Sequence, residues 1–307
     1  MIKEWLRKMK KKLLCLFLSA VSVAVMASGC GGTTQQPASS QSPAAPESSA
    51  APESSAAPSE EDASAPEEDA LVALPEKFVL GLDASFPPMG FTDESNNIIG
   101  VDIDLAKAVC DKLGMEFEAK PISWDAKEME LNTDKITCIW NGLTMTPERN
   151  EAFEMSRPYM SNKQVIVVMN DSPIAGKADL AGKVVAAQKD SSGLEALQKD
   201  EIYSSIADGA AKEYEDYVTA LTDMEIGRCD AVVMDSVVAE YYIPVSGKAM
   251  KVLEDTMAEE QYGIAFKKGE TALKDAVEKA LSELAAEGKI AEISQNWFQT
   301  DDMIITY

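Results

Sequence analysis

The chain has 307 residues, a formal charge of −24 and no histidine. Charge of that sign excludes a nucleic-acid partner, whose binding rests on neutralising phosphates, and opposes adsorption of the protein surface to anionic lipid. Without histidine there is no Ser-His-Asp or Cys-His catalysis and no histidine-containing zinc site.

The first residues are basic: Lys3, Arg7, Lys8, Lys10, Lys11 and Lys12. An apolar stretch from Leu13 to Met26 follows, then Ala27-Ser28-Gly29-Cys30. This is the layout of a secretory signal, and its apolar part is short of the roughly 20 residues a membrane span needs. The small residues before Cys30 resemble the lipobox of bacterial lipoproteins, although Ala27 stands where Leu is more usual. The resemblance implies a signal peptide over 1–29, cleavage before Cys30 and a lipid thioether on its sulfur. An ordinary signal peptide with Cys30 incidental is the other reading. Removing 1–29, with six basic residues and one acid, would take the charge from −24 to −29.

Residues 30–70 are Ser, Ala, Pro, Glu, Gln, Gly and Thr-rich, with Pro46-Glu47-Ser48-Ser49-Ala50-Ala51 repeated at once as Pro52-Glu53-Ser54-Ser55-Ala56-Ala57. Such a composition cannot bury enough apolar surface to fold and is expected to be a disordered tether. About 40 flexible residues have a root-mean-square span of roughly 35 Å. Together these features predict a lipid-anchored protein on the extracellular face of the cell membrane. The cysteines after Cys30 are Cys110, Cys138 and Cys229. An odd number in an exported chain leaves a free thiol. Buried free thiols are expected, a Cys110–Cys138 bridge is compatible with the pattern, and no metal-site spacing is present.

From residue 75 onward strand-like and helix-like runs alternate, which predicts α/β layering. Phe78 to Leu82 reads as a strand. Asp102 to Leu113 reads as a helix capped by Gly114, with Asp102 and Asp104 as first-turn acids. Glu116 to Pro121, Ile136 to Trp140 and Lys163 to Met169 read as strands. A second set begins with the strand Lys183 to Ala187 and a helix after Ser192. It continues with a strand near Ala211 to Tyr214, a helix from Asp216 to Ile226 and a buried strand from Ala231 to Met234. A strand at Tyr262 to Phe266 precedes two helices, Thr271 to Glu287 and Ile290 to Phe298.

Within this pattern Asn141 to Arg149 stands out. A buried strand is followed by Gly142, where a ligand can approach the backbone, then by Thr144. Thr146 and Pro147 start a helix, and Arg149 lies one turn in. A guanidinium there can hold a carboxylate bidentately; the same residues also suit a surface arginine early in a helix. Asp235, directly after an apolar strand, is either a carboxylate seeking a cationic partner or the N-cap of a helix starting at Ser236.

Gly100-Val101-Asp102-Ile103-Asp104-Leu105-Ala106 resembles a signature of the polar amino acid-binding proteins of ABC transporters. So do Gly142 to Arg149, Phe153 to Tyr159, Gly227 to Asp235 and Tyr262 to Gly269, in family order. The resemblance implies a two-lobed periplasmic-binding-protein-like (type II) α/β fold. One lobe would be 75–162 plus 257–307 and the other 163–256, with crossovers near 160–165 and 254–260. It implies that Arg149, Gly142 and Thr144 hold the carboxylate of an amino acid and Asp235 its ammonium. Gln188, Ser191 and Ser192 would complete the carboxylate site from the second lobe, with Asp190 standing where the family more often has glycine. Asp83, Phe86 and Trp124 would face the ligand side chain; Trp140 could reach the cleft or stay in the core. The implied function is capture of a polar amino acid by cleft closure and delivery to a membrane-embedded ABC permease, by a monomer without cofactor or metal. Glutamine, a basic amino acid and cystine all fit. The alternative is an enzyme on the same scaffold, prephenate or arogenate dehydratase-like, for which no poised acid stands out.

Overall fold

The structure, a computed structural model, describes residues 74–305. The expected signal peptide, Cys30 and the tether lie outside the described residues. Chain order begins β1 (Lys77–Leu82), β2 (Ser85–Phe86), β3 (Gly90–Thr92), β4 (Ile98–Ile99), α1 (Val101–Leu113), β5 (Glu116–Pro121), α2 (Lys127–Asn132) and β6 (Cys138–Thr144). It continues α3 (Pro147–Ala152), β7 (Glu154–Met155), β8 (Met160–Met169), β9 (Val185–Gln188), α4 (Ser192–Lys199), β10 (Lys212–Tyr214) and α5 (Tyr217–Glu225). It closes β11 (Ala231–Asp235), α6 (Ser236–Ser246), β12 (Met250–Phe266), α7 (Thr271–Ala286) and α8 (Lys289–Phe298).

Local patterning accounts for most of these elements. In β1 the side chains of Phe78, Leu80 and Leu82 point inward with period two and are fully buried. Strand β6 is buried along its whole length, as expected of a strand covered on both faces. Helix α1 ends at Gly114, whose φ of 73° is left-handed and whose N–H donates to Cys110 O. Helix α7 buries Leu273, Val277, Ala280, Leu281 and Leu284, the three-and-four spacing of a helix with one apolar face. Trp297 in α8 donates Nε1–H to Asp104 Oδ2 at 2.9 Å, tying the last helix to the first turn of α1.

The main sheet runs β10-β9-β11-β8-β12-β6-β1-β5, with β7 also paired to β12. A small sheet, β2-β3-β4, stands apart. Strands β5, β1 and β6 pair in parallel, as do β10, β9 and β11. Strand β12 is antiparallel to both β8 and β6 and so links the two parallel sets. This is the two-lobed α/β arrangement expected, with β12 joining the two parallel sets.

Those two strands are longer than the residue pattern suggests. Expected over Lys163 to Met169, β8 begins at Met160; expected over Tyr262 to Phe266, β12 begins at Met250. Residues Glu254, Asp255, Glu259 and Gln261 of β12 are exposed. Glu259 and Gln261 pair with Lys163 and Ser161 in the ladder with β8, which a polar sequence does not advertise. The register between β8 and β12 shifts between Val252 and Thr256 and again before Ala258, local irregularities that bend a strand.

Cys110, Cys138 and Cys229 are buried and free. Burial pushes the Cys110 thiol up to about 12 and the Cys229 thiol up to about 11, which keeps both unreactive. Among the described residues no helix is long and apolar enough to cross a membrane.

Leu281 is 1% exposed in the largest apolar cluster, where α7 packs on the rest of the core. Leu281→Ala is expected to lower unfolding free energy by about 2–5 kcal/mol, read as a lower urea midpoint with an unchanged slope.

Candidate ligand-binding site

Between the two parallel strand sets lies a small cavity, with free space of about 10 Å3, lined by Asp83, Phe86, Trp124, Asn141, Gly142, Thr144, Arg149, Gln188, Ser191, Ser192 and Asp235. All ten residues singled out from the sequence therefore come to one cavity, with Asn141 added. They arrive on strand ends and helix starts: Gly142 and Thr144 on β6, Gln188 ending β9, Ser192 opening α4 and Asp235 ending β11.

Thr146 caps α3, its Oγ1 accepting from Arg149 N at 3.2 Å. The Arg149 guanidinium turns back and donates Nη1–H to Thr144 O at 2.7 Å. One of five N–H donors is thereby used, and the fork geometry suits a carboxylate. Burial lowers the Arg149 pKa, and the charges of Asp190, Glu195, Glu128 and Glu260 oppose that shift.

Gly142 is held differently from the expectation. Its N–H donates to Asp102 Oδ2 at 2.9 Å and also lies 3.2 Å from Tyr159 Oη, so the amide points away from a ligand. What the glycine contributes is space. Its φ is 59°, and a Cβ would stand 2.8 Å from a Phe86 ring carbon. Asp102 is indeed in the first turn of α1, but it is fully buried and accepts from Tyr159 O–H at 3.0 Å as well. Desolvation pushes its carboxyl up to about 7, against the lowering effect of those hydrogen bonds. Asp102 thus positions the glycine turn from behind.

Ser191 is the N-cap of α4: its Oγ accepts from Leu194 N at 3.1 Å and donates to Gln188 O at 2.7 Å. Ser192 Oγ instead faces the other lobe and accepts from Thr144 Oγ1 at 2.9 Å. Gln188 also crosses, its Nε2 donating to Asp83 Oδ2 at 2.8 Å and to Glu215 O at 2.9 Å. Asp83 is 8% exposed, and desolvation pushes its carboxyl up to about 6. The Phe86 ring meets Tyr217 with centroids 5.9 Å apart. With these contacts made, the two lobes are closed on one another.

Asp235 occupies the N-cap position of α6 but makes no capping hydrogen bond. Its Oδ1 accepts from Tyr262 O–H at 2.5 Å and from Asn162 Nδ2 at 2.8 Å. The same Asn162 nitrogen donates to Glu260 Oε1 at 2.7 Å. Desolvation first, and the charge of Glu260 second, push the Asp235 carboxyl up to about 7. Trp140 is core, fully buried and edge-on to Tyr159 at 6.1 Å.

Several contributors were missed in the sequence. Asn162 and Gln164 are buried polar residues alternating inward on β8, a legible signal in an otherwise apolar strand. Glu260, on the crossover, and Tyr217, beside Phe86, carried no signal that separates them from surface and core residues. The Tyr217 hydroxyl is buried without a hydrogen-bond partner.

Residues 78–300 match the family described as bacterial extracellular solute-binding proteins, family 3. The chain belongs to that family. The L-cystine-binding protein TcyJ of Escherichia coli (strain K12) is 27% identical over 225 residues, covering 73% of this chain and 83% of the relative. The arginine-binding extracellular protein ArtP of Bacillus subtilis (strain 168) is 30% identical over 226 residues, covering 72% of this chain and 86% of the relative. A crystal structure of an ABC uptake transporter substrate-binding protein from Streptococcus pneumoniae with bound histidine superposes with a TM-score of 0.72 at 36% identity, covering 74% of this chain and 94% of that one. This family-3 protein is accordingly a solute-binding protein of the ABC-transporter type and not an enzyme.

Asp83, Asp102 and Asp235 bind their protons more tightly in the folded protein than in the unfolded chain, where carboxyls titrate near 4. Between about pH 4 and about pH 7 the folded state carries the extra protons, so stability is greatest at the acid end and falls as pH rises. Thermal denaturation of ligand-free protein should show a midpoint that declines from about pH 5 to about pH 8, with a shallower decline for Asp102→Asn. A midpoint that rises over that range would contradict the burial of these groups.

Proposed function

We propose that the cleft holds the zwitterion of a polar amino acid between Arg149 and Asp235. The observation that carries this is the polarity of the cavity. A guanidinium, the α4 N-terminus at Ser191 and Ser192 and the Thr144 hydroxyl line it, which suits a carboxylate. The buried Asp235 carboxylate lines the same cavity, in need of a cation. Gly142 lets the Phe86 and Tyr262 rings pack against the turn beside the cavity. Phe86 and Trp124 flank its side chain, and Asp83 with Gln188 offers that side chain an acceptor and an amide. The relatives' own ligands, cystine, arginine and histidine, all carry the same zwitterion.

The rest of the proposal concerns delivery. The lobes are 75–162 plus 257–307 and 163–256; they close on the ligand, and the closed monomer is recognised by a membrane-embedded ABC permease. Cleavage after the signal at 1–29 and lipid on Cys30 would hold the domain to the outer face of the membrane through the tether at 30–70. The composition of those segments supports this.

Calorimetric titration of the protein with L-glutamine, L-arginine, L-lysine, L-histidine and L-cystine tests the site. At least one should bind saturably, and Arg149→Ala or Asp235→Ala should each weaken that ligand by about 2–5 kcal/mol, because each strands a buried charge. Unchanged affinity in both variants would remove the site assignment. For the anchor, Cys30→Ser should shift the protein expressed in a bacterial host from the membrane to the soluble extracytoplasmic fraction, and an unchanged membrane fraction would argue against lipidation.

A further inference from the structure

Lys127 is the first residue of α2 and is 1% exposed. Lysine is almost never fully buried unless its charge is paired. Its ammonium donates to Trp124 O at 3.2 Å and to Asp190 O at 3.2 Å, and it makes an ion pair with the Asp190 carboxylate. It also sits 5.0 Å from the centre of the Trp124 ring, within range of a cation–π contact. Asp190 in turn has a φ of 54°, the left-handed region that favours glycine. A buried ammonium and a left-handed aspartate are each unfavourable by themselves, and here they meet.

They also come from opposite sides of the cleft. Trp124 and Lys127 lie between β5 and β6; Asp190 lies between β9 and α4. One ammonium therefore ties the aromatic wall of one lobe to the turn that opens α4 in the other, the turn proposed to receive the ligand carboxylate. The contact can exist only while the lobes are closed. Lys189 and Asp125 add an exposed crossing pair at the rim, 2.5 Å apart. Arg149 is close enough for its charge to lower the Lys127 pKa, while Asp190 raises the pKa of both cations. The Asp190 carboxylate thus neutralises a pair of positive groups that would otherwise repel.

We propose that Lys127 and Asp190 form an interlobe latch that holds the Asp190–Ser192 turn against Trp124 and sets the rate at which the ligand leaves the closed cleft. The latch rests on the proposed amino acid-binding function. Lys127 and Asp190 are positioning residues: they act on the ligand through the turn and the ring they fix.

Stopped-flow tryptophan fluorescence on the full-length protein separates association from dissociation. The probe is whichever of the five amino acids in the calorimetric panel saturates the wild type. Lys127→Met and Asp190→Gly are each expected to raise the dissociation rate about tenfold or more while changing the association rate by less than about threefold. The double variant should dissociate no faster than the faster single one, because the two residues share one interaction. Asp190→Gly suits the left-handed backbone, so it should fold even if Lys127→Met does not. Dissociation within about twofold of wild type in Asp190→Gly would overturn the latch and leave the binding function standing. A wild type that none of the five amino acids saturates would overturn the binding function and the latch with it.

Discussion

A carboxylate taken out of water is costly unless something compensates it, and two such groups line this cleft while a third lies beneath it. Asp83, Asp102 and Asp235 are all nearly or fully buried, and desolvation is the leading influence on each. Much of the surrounding architecture reads as compensation. The Ser85 amide and Gln188 serve Asp83; Tyr159 and the Gly142 amide serve Asp102; Tyr262 and Asn162 serve Asp235. Asp102 takes both of its hydrogen bonds on Oδ2, from Tyr159 and the Gly142 amide, and shapes the turn. Asp83 and Asp235 sit on the cavity and retain capacity for a cationic or amide group on the ligand. The proposed division of labour follows: one acid builds the site, and two address the solute.

The shared strands make closure compatible with that arrangement. β12 pairs with both β6 and β8, and Asn162, Gln164 and Glu260 stand on these paired strands. Gln164 Nε2 donates to both Ser192 and Glu260, and Asn162 to both Asp235 and Glu260. The contacts that exist only on closure lie farther out, at Thr144–Ser192, Asp83–Gln188 and Lys127–Asp190. Family membership supplies the function; these contacts describe how this particular chain would retain its ligand.

Much of the fold was legible in the residue pattern. The buried strand before Asn141, the Gly114 helix end and the Thr146-Pro147 helix start all stand where local chemistry puts them. The ten cavity residues were found partly through local signals, as with Arg149 and Asp235, and partly through resemblance, as with Asp83 and Trp124. What local reasoning left open or got wrong is instructive. It left Asp235 open between a ligand carboxylate and a helix cap, and the carboxylate turns to Tyr262 and Asn162. It treated Asp102 as an ordinary first-turn acid, whereas the residue is buried beneath Gly142. The resemblance gave Gly142 a part in holding the ligand carboxylate, and its amide is already taken by Asp102. Each case concerns a partner distant in sequence.

The same distinction separates what the chain's sequence determined alone from what only tertiary structure decided. Charge, the absence of histidine, the alternation of strands and helices and the turn chemistry at Gly142 and Thr146 are properties of composition or of neighbours a few residues apart, so they are readable from the string. The length of β12, the destination of the Asp235 carboxylate and the burial of Lys127 depend on partners such as Met160, Asn162 and Asp190, which lie on other elements. Burial turns such a pairing from a marginal surface contact into a requirement. It arises only when the two lobes have been brought together, and no local pattern records it.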